Sequence, residues 1–241
     1  MKLAIGHPAA TLAAAHKRHD FCSPLAALAV LRVVLSAAML LSVAPASAAT
    51  GTGPNPLERF LMGLHSFRAS FSQTITDAHG HPAGQSTGML VVLRPGKFRW
   101  EIHAHGEHGA GQLVVDDGRN LWYYDPDLAQ VEVKPSGAAL PATPAMLLSE
   151  GDALGEFQVQ RAGASRGLDW VRVVPKAADA DFRDALLGFS GTDLRRMILR
   201  DKLGETTTLD FDHAERNGPV AASEVSFTPP PGADLIGTPE K

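Results

Sequence analysis

Through most of this chain apolar residues come in short runs at every second position, and almost every run stops at Gly, Pro, Asn or Asp. That rhythm is a β-strand signal, and it leaves little room for anything else. Phe67, Ala69, Phe71, Gln73 and Ile75 alternate with Arg68, Ser70, Ser72 and Thr74. Further strands are predicted at 88–94, 97–103, 112–115, 121–124, 130–134, 157–161, 168–174, 186–189, 194–200, 206–212 and 224–228. Most connections between them are too short for a helix, which excludes βαβ units and predicts an antiparallel meander. Two short helices interrupt the pattern. Asn55-Pro56-Leu57-Glu58 offers a cap, a first-turn proline and a capping-box glutamate, and Leu57, Phe60, Leu61 and Leu64 then form one apolar stripe. Thr143-Pro144-Ala145-Met146-Leu147-Leu148 repeats the cap-proline start before an apolar run. The expected fold class is mainly β, an incompletely closed antiparallel barrel covered by short helices.

The 241-residue chain opens with Lys2, Lys17 and Arg18, followed by a mostly apolar stretch from Pro24 to Val43 and then Ala46-Ser47-Ala48. These are the parts of an export signal, so residues 1–48 are expected to be removed and 49–241 to form a single domain. A membrane anchor is the alternative, because about 20 apolar residues can span a bilayer. The small-residue cleavage pattern and the polar 50–54 segment favour cleavage. Removing Lys2, Lys17, Arg18, Arg32 and Asp20 from 22 basic and 26 acidic residues leaves 18 and 25, a net charge of −7. Such a surface does not suit nucleic acid. The lone Cys22 leaves with the leader, so the expected mature chain has no disulfide, thiol nucleophile or lipidated cysteine.

Sites for chemistry are sparse. Gly188-Phe189-Ser190-Gly191-Thr192 misses the nucleophile elbow at its last position, and no phosphate-binding glycine motif follows a strand. His103, His105 and His108, with His79 and His81 in another hairpin, are the candidate metal ligands. Their glycine-rich surroundings read better as solvated loop ends. The pairs Asp116/Asp117, Asp179/Asp181 and Asp210/Asp212 read as turn, loop and outward strand positions, with none buried beside a second titratable group. No enzyme and no cofactor is indicated.

Several stretches in order resemble one family. They are Phe71-Ser72-Gln73 with Asp77, Gly88 through Arg94-Pro95 to Phe98 and Trp100, the run Asp117 to Pro126, Thr143 to Leu148, Leu187-Gly188-Phe189, and Phe227 to Gly232. Together they cover nearly all of 57–237, and the chain resembles the periplasmic outer-membrane lipoprotein carriers, the LolA family of Gram-negative bacteria. The resemblance implies a half-open barrel whose helical lid covers a cavity for lipoprotein acyl chains. It also implies loading by an inner-membrane lipoprotein-releasing ABC transporter and delivery to an outer-membrane receptor. Carried over to this chain, Arg94 is the lid-holding arginine and Phe98 the aromatic near the cavity mouth. Leu57, Phe60, Leu61 and Leu64 would form the lid, with Met146 and Leu147 on the second helix. Phe98, Trp100 and Trp122 would supply the walls.

Two rivals stand beside the periplasmic carrier. One is a lipoprotein-sensing or other lipid-binding module of the same fold, which usually has a further domain. The other is a secreted metal-binding protein using the histidines. A monomer is expected. Intact-mass measurement of the exported protein tests the leader: a chain starting at Ala49 is expected, and retention of residues 1–48 contradicts it.

Overall fold

The structure is a computed structural model, and it describes residues 53–104, 111–136, 144–149, 153–178, 180 and 182–241, all within the unit Ser47–Lys241. The chain begins with α1 (Pro56–Leu61) and continues through β1 (Ser66–Thr76), β2 (Pro82–Leu93), β3 (Lys97–Ala104), β4 (Gln112–Asp116), β5 (Asn120–Asp125) and β6 (Gln130–Pro135). Then follow α2 (Pro144–Ser149), β7 (Phe157–Ser165), β8 (Leu168–Pro175), β9 (Phe182–Ser190), β10 (Asp193–Asp201), β11 (Thr206–Arg216) and β12 (Asp234–Ile236). The twelve strands form one sheet in the order β12-β6-β5-β4-β3-β2-β1-β11-β10-β9-β8-β7. Every ladder is antiparallel except β12 on β6, and the end strands do not pair, so the barrel is not closed. The expected fold class is the one found. Among the described residues no helix is long and apolar enough to cross a membrane.

Because side chains alternate along each strand, the register assigns them to two faces. Phe71 lies opposite Phe211, Trp100 opposite both Leu90 and Val114, and Val171 opposite Leu187. These residues belong to one buried cluster that also takes in Leu57, Phe60, Leu61 and Leu64. The helices therefore lie on this inner face. A second cluster, Leu113, Val115, Trp122, Val131 and Val133, occupies the other face of β4–β6 and is covered by Phe227 and Ala233. Elsewhere the outer face is polar. Asp184 is only 1% exposed there, held by Arg172 and Arg200 at 2.8 Å each.

Several strand expectations change: β7, β9 and β11 run longer than expected. β2 starts at Pro82, six residues early, because its polar, glycine-containing beginning pairs with Ile75 to Phe71 across a hairpin. The predicted strand 224–228 is absent. Residues Ala222–Val225 form a 3-10 turn in which Glu224 accepts the Ala221 N–H at 2.8 Å and a guanidinium N–H of Arg68 at 2.5 Å. The chain then crosses the outer face and supplies β12, which had no alternating pattern to reveal it. The helix α1 also stops at Leu61, since Gly63 takes φ +66° and turns the chain; Leu64 stays buried beyond the helix end.

Asp184→Ala should lower unfolding stability by roughly 1–3 kcal/mol, since it removes a buried charged acceptor while its arginines can turn to water. Chemical denaturation checks this; an unchanged midpoint contradicts it.

Candidate functional site: the clamped helix and the inner face

The start of α1 follows its sequence. Asn55 Oδ1 accepts the Glu58 N–H at 3.0 Å, Glu58 Oε2 accepts the Asn55 N–H at 2.7 Å, and Pro56 occupies the first turn. At its other end the Leu61 carbonyl accepts the Leu64 N–H at 3.1 Å, but the neighbouring carbonyls lie past the last helical donors, and a helix this short cannot hold itself together. Strand side chains supply the donors. Arg94 donates through Nη1 to the Leu61 carbonyl at 3.3 Å. Arg216 donates through Nη2 to the Phe60 and Met62 carbonyls at 2.7 and 3.0 Å, with its guanidinium 5.4 Å from the centre of the Phe60 ring. Asn217 donates to the Gly63 carbonyl at 2.9 Å, and its side-chain oxygen accepts the His65 N–H at 2.8 Å. Ahead of the helix, Arg161 on β7 donates to the Gly53 and Pro54 carbonyls.

The turn after β2 also reaches α2. The Arg94 N–H donates to the His65 carbonyl at 2.8 Å, and the Gly96 N–H donates to the Ser149 carbonyl at 3.0 Å. Arg94-Pro95-Gly96 thus touches the C-terminal ends of both helices. Arg94 thus bonds to the end of α1, and Arg216 and Asn217, which sequence reasoning missed, bond there with it. Asn217 does sit before a glycine at the end of a strand, with φ +59°. That is a turn signal, and nothing in it points to a helix about 150 positions away.

Beneath the helix the rings form a continuous row. Phe60 meets Phe67 at 5.4 Å and Phe189 at 5.7 Å, Phe67 meets Phe211 at 6.2 Å, Phe211 meets Phe71 at 6.5 Å, and Phe71 meets Trp100 edge-on at 5.7 Å. Gly88 lies under the Phe71 ring, and a Cβ there would collide with it and with the Glu101 carbonyl. Leu57, Phe60, Leu61, Leu64, Phe98, Trp100 and Leu147 are all brought to this face. Phe98 is 1% exposed, so with the helices in place it is an interior side chain rather than a rim residue. The Met146 side chain lies outside the described residues.

Trp122 is the exception and corrects the expectation of a third wall ring. On β5 it alternates with Leu121, which faces inward, so it faces outward. There it packs against Phe227 at 5.7 Å and donates through Nε1 to Asp117 Oδ2 at 2.8 Å.

The carboxylates need one correction as well. Asp116 is buried at 4% exposure next to Asp117, contrary to the expectation for that pair. Burial pushes its carboxyl above the ordinary range, against hydrogen bonds from the Gly118 N–H and the Ser136 hydroxyl. Burial also raises Asp117, but donors from Trp122, Asn120 and Arg119 outweigh it and hold that carboxyl low. Both serve the turn into β5. His79, His81 and His103 are exposed, and His105 and His108 lie outside the described residues, as do Asp179 and Asp181. The described residues contain no group of three ligand-type side chains able to hold a metal.

A cleft of about 330 Å³ on the outer face is lined by Arg68, Arg99, Glu101 and Glu224 with Met89 and Val91, a polar lining unlike that of the inner face. The fold and site define a class: an open antiparallel sheet with an apolar inner face and a short helix clamped over it. The family profile of outer membrane lipoprotein carrier protein LolA matches residues 62–228. An outer-membrane lipoprotein carrier protein of Dechloromonas aromatica is 43% identical over 182 residues, covering 75% of this chain and 86% of that one. Another, of Methylobacillus flagellatus, is 36% identical over 208 residues, 86% of this chain and all of that one. A solved LolA superfamily protein of Nitrosomonas europaea aligns over 71% of this chain and 96% of its own at 13% identity, with a TM-score of 0.44. The chain belongs to the LolA family of outer-membrane lipoprotein carrier proteins.

Arg216→Ala should release α1 without unfolding the sheet. Charged hydrogen bonds of this kind are worth about 1.5–3 kcal/mol, so amides 59–62 should exchange with solvent at least roughly tenfold faster while β1 and β2 amides keep their protection. Hydrogen exchange checks this, and unchanged α1 protection contradicts it.

Proposed function

We propose that the protein is a periplasmic carrier that takes the acyl chains of lipoproteins onto its inner face and shuttles them from an inner-membrane ABC transporter to an outer-membrane receptor. The observation that carries this reading is that α1 fills the inner face with Leu57, Phe60 and Leu61 while being tied down by exchangeable hydrogen bonds at its ends. With α1 seated on the inner face the carrier is closed. Lifting α1 exposes a row of aromatic rings to which hydrocarbon can bind.

The magnitudes suit exchange. Each of the three lid side chains gains about 1.5–3 kcal/mol by burial, so roughly 5–9 kcal/mol opposes opening before the clamps are counted. One acyl chain of about fifteen carbons gains ~12 kcal/mol on leaving water, at ~0.8 kcal/mol per methylene. Cargo therefore compensates for the displaced lid. That cargo starts in a membrane, however, so its net gain is small, and loading needs energy from elsewhere. An ATP-driven transporter on one side and a better-matched receptor on the other meet that requirement.

Arg94 biases the equilibrium toward the closed state, and closure helps expel cargo. Arg94→Leu removes the side-chain donor to the Leu61 carbonyl and leaves the Leu64 N–H, so this variant should stay folded and bind cargo but deliver less of it to the receptor. Mass spectrometry of wild type purified from periplasm should find co-purified acylated protein, and a transfer assay should show a several-fold loss for Arg94→Leu. Absence of acylated cargo from wild type, or normal delivery by the variant, overturns the respective part.

A further inference from the structure

The interior holds two orphaned polar atoms among the described residues, and both are donors: Trp100 Nε1 and Arg216 Nε. An unpartnered buried N–H is unfavourable, and native cores rarely keep one. Trp100 is 5% exposed, with Phe71 against its ring and Leu90 and Val114 opposite it on the neighbouring strands. None of these side chains can accept a hydrogen bond. A phenylalanine would supply aromatic surface here without the stranded donor. The indole thus has a feature that packing does not use.

An indole N–H only donates, so its complement is an acceptor that enters with apolar material. Ester carbonyls have that character: they accept without donating, and they join hydrocarbon chains to a glyceryl group. The second orphan, Arg216 Nε, lies at the Phe60 end of the aromatic row, and Trp100 is at the other end.

Resting on the carrier reading, we propose that Trp100 is a specificity-determining residue whose Nε1–H donates to an acyl-ester carbonyl of the cargo when α1 is displaced. The inner face then recognises more than hydrocarbon: it distinguishes ester-linked chains from plain alkyl chains of equal length. The rings supply affinity by area, and the indole sets how far a chain slides along the row. Arg216 has carbonyls of α1 to hold in the closed state, so Trp100 is the donor free of a structural task.

The test compares a synthetic diacylglyceryl-cysteine peptide with its dialkyl-ether analogue of equal chain length, by isothermal titration against the exported protein. Wild type should bind the ester form roughly tenfold more tightly, about the worth of one hydrogen bond. Trp100→Phe should bind both equally, at the affinity wild type shows for the ether. The Trp100 indole proton resonance of ¹⁵N-labelled wild type should shift downfield with the ester probe and stay put with the ether probe. The wild-type comparison and the resonance need no variant, so they stand even if Trp100→Phe folds poorly. Equal wild-type affinity for both probes overturns this inference and leaves the carrier reading intact. Binding of neither probe overturns both.

Discussion

The carbonyls left over at the end of a six-residue helix govern this structure. Such a helix cannot persist in water, because its few internal hydrogen bonds do not offset the cost of nucleation. It exists because the strands bring donors to its open end: Arg94 from the turn after β2, and Arg216 and Asn217 from the end of β11. Its apolar side chains then complete the inner face. Hydrophobic burial fixes where the helix lies, and polar contacts fix whether it stays. The two kinds of interaction respond to different challenges.

The two faces of the sheet divide the remaining work. The inner face is a row of aromatic rings flanked by aliphatic side chains, and it is continuous with the helices. The outer face carries the ion pairs, with Asp184 drawing in Arg172 and Arg200, Arg196 on Asp210, and Arg68 on Glu224. Where β4–β6 present apolar residues outward, the C-terminal segment covers them with Phe227 and Ala233. Hydrophobic surface is therefore covered on both sides, but only the inner cover is a short helix held at its ends.

Much of this was legible in the sequence. Alternation located most strands, the Asn55–Glu58 pattern located the start of α1, and the resemblance named the family. The losses have physical causes. Trp122 reads as a wall ring until β5 is put in register, where a shift of one position exchanges faces. The opening residues of β2 are polar and rich in Pro and Gly, and pairing with β1 overrides that local preference. β12 is three residues whose strand character comes from β6 rather than from their own pattern. Arg216 and Asn217 were missed because their partners, Phe60, Met62, Gly63 and His65, are remote in sequence, and single-chain patterns carry no such information. Asp116 read as turn chemistry, and it is, but burial depends on what the turn packs against.

The central claim is that cargo and α1 compete for the same inner face. Spin labels at two exposed positions, Met62 just after α1 (66% exposed) and Leu203 on the β10–β11 turn, would report the separation of helix and sheet. A single narrow distance distribution is expected for the empty protein, giving way to a shifted and broader one when a diacylglyceryl-cysteine peptide is bound. An unchanged distance in protein shown to hold that peptide would place the cargo elsewhere and contradict the account.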